Sequence, residues 1–192
     1  MNFAARTVST LAAAVFAMLP IAAQAADTYA ADPVHSSVVF RVKHMNTSHA
    51  WGRFDAIDGS FKLDETDPTQ SKLTFTVKAA SVNTGNAARD KHLMGPDFFS
   101  ATQYPTITFV SDSVSKSAKG YEVKGNLTFH GVTKPLAFIV VPTGTGKDMK
   151  GNPIAGIDAN FVLKQSDFGI TKMAAAIGDD VSVFVSIEGV KK

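Results

Sequence analysis

Hydrophobic and polar residues alternate along most of the chain beyond its first third of a hundred residues. The pattern is cleanest over 72–79, where Leu73, Phe75, Val77 and Ala79 share one face and Lys72, Thr74, Thr76 and Lys78 share the other. Side chains of a strand point alternately to opposite sides, so this spacing predicts a strand with one dry and one wet face. Alternation of Val38, Phe40 and Val42 with Ser37, Arg41 and Lys43 predicts a first strand. Further strands are predicted near 51–57, 60–63, 106–114, 121–129, 136–142, 157–164 and 181–190. Turn residues separate several of them: Asp58-Gly59, Lys119-Gly120, His130-Gly131 and the stretch 144–153. One segment has helical character, with Thr84 as its cap, an end near Gly95 and a turn over 96–99.

Eight or nine short antiparallel strands in sequence order make an all-β domain, either a barrel or a sandwich; the pattern alone leaves both open. A closed barrel removes sheet edges, and eight strands enclose a space that side chains fill or one ligand occupies. The aromatic residues bear on that choice. There are 14 Phe against one Trp and three Tyr, and all Phe but Phe3 and Phe16 fall beyond residue 25. Phe has no polar atom to satisfy, so it suits a dry interior. An ordinary filled core is the simpler reading of that count. The stretch 165–180 has no clear strand alternation, although it contains Phe168, Ile170, Met173 and Ile177. Connections of that length are often functional, and this one is expected to act as a lid.

Residues 1–25 are read apart from the fold. Arg6 precedes an apolar run over 8–19, Pro20 ends it, and Ala23-Gln24-Ala25 supplies small residues before a cut. This is the form of a cleaved Sec-type signal peptide, since a run of about a dozen residues is shorter than the roughly 20 that span a bilayer. A single domain over 26–192 is expected in the periplasm. Loss of Arg6 takes the formal charge from +2 to +1, and no basic block stands out. Nucleic acid therefore has no support as a partner, and neither does stable membrane insertion. With no Cys there is no disulfide, thiolate site or thiol nucleophile.

Five histidines, His35, His44, His49, His92 and His130, invite a metal site, but none forms a helical His-x-x-x-His pair. No metal and no cofactor are expected. Asp90-Lys91-His92 lacks a Gly-x-Ser-x-Gly elbow to complete a hydrolytic triad. Gly144-Thr145-Gly146-Lys147 is followed by Asp148 rather than Ser or Thr, and reads as a hairpin loop.

A series of ordered motifs resembles the YceI-like family. Asp32-Pro33-Val34-His35-Ser36 and Phe40-Arg41-Val42-Lys43-His44 open it. Gly52-Arg53-Phe54, Gly59-Ser60-Phe61, Ser81-Val82-Asn83-Thr84, Arg89-Asp90-Lys91-His92-Leu93, Asp97-Phe98-Phe99 and Tyr104-Pro105-Thr106-Ile107-Thr108-Phe109 follow. Gly125 to Lys134, Asp167-Phe168-Gly169 and Asp180-Val181 complete it. The resemblance implies an extended, lipocalin-like antiparallel barrel of eight strands that holds a lipid tail, with one short helix and a lid-like loop. It replaces the filled core with a lined tunnel. It implies a binding or carrier protein for a polyprenyl phosphate or an isoprenoid quinone, with no reaction of its own; a homodimer is left open. The wall residues implied are Phe40, Phe54, Phe75, Phe109, Phe129, Phe138, Phe161 and Phe168. His35, His44, Asp90, His92, His130 and Asp167 are placed at the mouth. An enzyme acting on an isoprenoid through Asp90, His92 and His130, or a stress-induced interaction module with a filled barrel, are the alternatives. One departure stands out: many members carry Arg before Asp-Phe-Gly, whereas Gln165-Ser166 stand here and the nearest base is Lys164.

Overall fold

Strand pairing turns the alternation into a closed wall. The structure, a computed structural model, describes residues 26–192; the signal-peptide reading of 1–25 lies outside the described residues. The strand segments are β1 (Thr28–Ala31), β2 (Ser37–His44), β3 (Ser48–Phe54), β4 (Ile57–Lys62), β5 (Lys72–Lys78) and β6 (Val82–Asn83). After one helix, α1 (Ala87–Met94), come β7 (Thr106–Ser117), β8 (Gly120–Phe129), β9 (Val132–Lys147), β10 (Pro153–Lys164) and β11 (Ile177–Lys191).

The first six segments are three long strands, each interrupted once. β11 pairs with β1 through Tyr29↔Lys191 and with β2 through Phe40↔Val183, so β1 and β2 follow one line beside it. β4 and β3 pair with that line in turn. β5 and β6 pair with β4 and β3. Counted so, eight antiparallel strands run in sequence order and close as a barrel, as expected. The interruptions are stitched together. Ser81 accepts from the backbone of both Asp55 and Ala56, at 3.0 and 3.1 Å, and Lys78 N–H donates to Ala56 O at 3.0 Å.

Below these breaks the barrel is solid. Phe61, Val114 and Val123 are at most 3% exposed, and Leu73, Val140 and Ile187, each 1% exposed, floor the space above them. Tyr29 stacks on Phe61 at 5.4 Å. Above the breaks the wall changes character. β6 has two residues, and β3 meets it only through Arg53↔Asn83 and Phe54↔Val82. Residues 48–52 of β3 therefore have no strand beside them on that side; α1, which packs on β6, and the loop over 95–105 contribute Arg89, His92, Leu93, Phe98 and Phe99 to the interior lining.

Several elements differ from their predicted form. Asp58-Gly59 is no turn but lies inside β4. There Gly59 (φ 147°) brings its backbone so close to Thr74 that a Cβ would sit 2.2 Å from the carbonyl oxygen, a close approach that only glycine permits. The turn that does occur is at Met45 and Asn46, both with positive φ, where Thr47 N–H donates to His44 O at 3.0 Å. It has the left-handed form that matches strand twist, and a Met there gives no sequence warning. The helix is capped by Asn86, whose Oδ1 accepts from Arg89 N–H at 3.0 Å, not by Thr84. Ala79, itself buried, leaves the strand and starts a 3₁₀ turn. β9 runs on to Lys147, so the 144–153 loop shrinks to a turn around Asp148, and β11 begins at Ile177 within the stretch expected to be a loop.

Candidate functional site

The inward faces of the upper strands enclose a cavity of about 550 Å³. Its wall is built by the alternation itself: Val38, Phe40 and Val42 from β2, Phe75 and Val77 from β5, Leu136, Phe138 and Val140 from β9, and Val183, Val185 and Ile187 from β11. Rings line it in contact. Phe40–Phe54, Phe54–Phe99 and Phe99–Phe129 have centroids 5.5–5.7 Å apart, and Phe138 lies 5.0 Å from both Phe109 and Phe161. Opposite Phe40, Gly52 leaves the space that the ring occupies; a Cβ there would be 2.3 Å from Cζ. Seven of the eight expected phenylalanines thus face the cavity. Phe168 does not: it is 3% exposed and packs behind Phe129 at 5.4 Å. It is turned inward under the wall by the 3₁₀ turn of Gln165–Phe168.

The portal lies where β3 lacks a neighbour. The polar and amphipathic lining residues there are Ser48, His49 and Trp51 of β3 and Thr84, Arg89 and His92 of α1 and its approach; His44 and Gln165 also line the cavity. Arg89 Nε and Nη2 donate to Oγ1 and O of Thr84 at 2.7 and 2.8 Å. Asp90 Oδ1 accepts from the N–H and hydroxyl of the same Thr84, at 2.8 and 2.6 Å. Across the opening, Lys172 Nζ reaches Asp97 at 2.6 Å, and His92 Nε2 lies 3.4 Å from the other carboxylate oxygen. Lys172 first, then His92, hold the Asp97 carboxyl below its ordinary range. Of the loop over 169–176, Ile170 and Met173 face the cavity.

Of the expected mouth residues, His44 and His92 are at the opening and four are elsewhere. His35 sits on the outer surface at the break between β1 and β2, bonded to Asp32 at 2.8 Å, because the Asp32-Pro33 turn carries it out of the strand line. Asp90 is part-buried and spent on Thr84. His130 (φ 51°) occupies the β8–β9 turn, where Nδ1 donates to Phe168 O at 2.9 Å. Asp167 is exposed on the 3₁₀ turn. Asp90, His92 and His130 therefore each hold a separate structural partner. Among the described residues one group has metal-ligand proximity, Asp32, His35 and Glu188, and it forms no part of the cavity wall.

Residues 29–189 match the YceI-like domain. The chain belongs to that family. A UPF0312 protein of Yersinia enterocolitica is 41% identical over 157 residues, which is 82% of each chain. The solved YCEI protein of Campylobacter jejuni is 31% identical, with a TM-score of 0.69 over 78% of this chain and 90% of that one. BcnA of Burkholderia cenocepacia shares the fold at 23% identity, with a TM-score of 0.75 over 82% and 98%. So does a domain from Saccharophagus degradans described as polyisoprenoid binding and implicated in plant cell wall breakdown, at 18% identity and a TM-score of 0.62 over 88% and 100%.

In this YceI-like barrel Gln165 stands two residues before Asp167-Phe168-Gly169 and is buried. Its Nε2 donates to Gly178 O at 2.9 Å, so it ties the start of the loop to β11 while still facing the cavity. Lys164, the nearest base, points away and pairs with Asp180 at 2.8 Å and Asp179 at 3.7 Å. The backbone N–H of Ser166 is the main cause that lowers the Asp179 pKa. Arg89 is the portal cation that the strand pattern misses. It lies on a helix whose faces show little amphipathic signal, and only its topological position beside the β3 gap reveals it. Phe99 was visible only within a motif, because no strand periodicity reaches its loop.

Proposed function

We propose that this protein binds the apolar tail of an isoprenoid lipid in the upper half of its barrel, with the head group at the β3–α1 portal. The observation that carries the reading is the Phe-lined cavity itself, whose lining turns polar beside the β3 gap. At about 30 Å³ per water-sized atom, its roughly 550 Å³ takes about eighteen heavy atoms, or some three to four isoprene units. Each buried methylene is worth about 0.8 kcal/mol relative to water, so retention in solution is strong. Transfer from a bilayer is nearly neutral by comparison, which leaves selectivity to cavity length and head group. The polyisoprenoid-binding description of the Saccharophagus degradans domain supports the ligand class. The loop over 169–176 serves as the lid. The reading needs no catalytic step, and Asp90, His92 and His130 each have a structural partner. The signal-like segment 1–25 supports a periplasmic carrier or sequestering role, with the mature chain starting near Ala26.

Native mass spectrometry after mild purification from a periplasmic extract is the test. The expected result is a mature chain bearing one lipid-sized adduct, which an isoprenoid quinone or a polyprenyl phosphate replaces after delipidation. A chain with no adduct that takes up neither compound would overturn the proposal.

A further inference from the structure

We infer that the rim and outer wall beside the portal form a docking face for an anionic lipid bilayer. This goes beyond ligand binding and draws on that reading only for what the contact accomplishes. Met45, Trp51 and Met173 are 57%, 50% and 37% exposed. The hairpin tip and the lid loop are joined, since Met45 N–H donates to Ala176 O at 2.7 Å. Trp51 and Met173 also border the cavity, so the apolar patch runs into the portal. On the outer wall Trp51 stacks on Phe184 at 5.8 Å, and β10 adds Val162, 56% exposed, beside them. Five of the nine exposed large apolar side chains among the described residues belong to this one face.

Along its rim the charge is one-signed, while at its β10–β11 edge Lys164 faces Asp179 and Asp180. Residues 43–53 and 168–178 contain no Asp or Glu. Arg53 and Lys172 are neutralised by Asp55 and Asp97, whereas Arg41, Lys43 and Arg89 have no carboxylate within 4 Å among the described residues. The Arg41 guanidinium lies 5.7 Å from the rings of both Trp51 and Phe184, and its Nε has no hydrogen-bond partner. Apolar side chains interspersed with unpaired cations suit the interface of an anionic membrane. The same face suits a second copy poorly, because a two-fold contact would bring like charges together. A near-neutral molecule with one such face docks reversibly. A lipid tail passing directly from bilayer to portal never crosses water, where each exposed methylene would cost about 0.8 kcal/mol.

The test mixes the mature protein with vesicles of phosphatidylglycerol in phosphatidylcholine, and with phosphatidylcholine alone. Trp51 is the chain's one Trp, so its emission reads the contact directly. Flotation and a blue shift are expected with phosphatidylglycerol, weakening as salt shortens the Debye length. Lys43→Ala should lower partitioning about fivefold, and Met45→Asp with Lys43→Glu, both at the hairpin tip and clear of the Trp51 stack, should abolish it while the circular dichroism of the folded barrel is kept. Absence of flotation, in a protein that still takes up isoprenoid from detergent, overturns the docking face and leaves ligand binding standing. Flotation without any isoprenoid uptake does the reverse. A dimer that buries Trp51 and is broken by Met45→Asp replaces the bilayer with a second copy.

Discussion

Phe61 and Phe138 carry the same ring at opposite ends of one barrel, and their surroundings give that ring different work. Phe61 is 2% exposed among tightly packed neighbours, whereas Phe138 borders the cavity. Phe61→Ala leaves a new void and should cost about 3–5 kcal/mol. At Phe138 the space already exists, so little beyond the transfer contribution is lost, no more than about 1.5–3 kcal/mol. Urea denaturation of the two lipid-free variants measures the difference, and equal losses would show the upper half to be packed as well. The inward direction of both rings was legible from alternation. Which one meets a cavity was not, because periodicity reports the face of a strand and says nothing of what stands opposite. Phe168 shows the complementary failure, since a 3₁₀ turn has no two-residue period to read.

At the scale of elements, strands were legible and their interruptions were not. The pattern located β5, β7, β8, β10 and β11 to within a few residues, but placed a turn at Asp58-Gly59 where the chain runs straight. The breaks that shape the portal depend on hydrogen bonds of Ser81 to the β3–β4 junction more than twenty residues away, which no local signal encodes. The lid loop is held over the opening by Lys172 and Asp97, 75 residues apart. Asp97→Asn should accelerate exchange of a bound fluorescent isoprenoid a few-fold, as read by stopped flow, while leaving equilibrium stability nearly unchanged. Because the Asp97 pKa is depressed, the latch is complete above the ordinary value near 3.8 and is lost as pH falls through the lowered one. Wild type and Asp97→Asn should therefore differ at neutral pH and converge in strong acid. Identical rates at neutral pH would remove the latch.

For the molecule as a whole, alternation left barrel and sandwich equally open, and the eight-stranded closure came from the resemblance of scattered motifs. Closure depends on β11 pairing with both parts of the first strand, a contact between the two ends of the described chain. Neither was it legible that the filled core and the lined tunnel would both be present, one at each end. That division has a mechanical consequence. A folded protein loses volume on unfolding in proportion to its internal voids, ordinarily by about 20–100 mL/mol. The solid end contributes little to that change, while a cavity near 550 Å³ lined by phenylalanine contributes much wherever water does not fill it. Under hydrostatic pressure the lipid-free barrel should yield well before the lipid-loaded one. High-pressure fluorescence of Trp51 would record it, and coincident midpoints would mean that water already fills the chamber. Seen this way, the ligand is also a filler that makes a compressible vessel stiff.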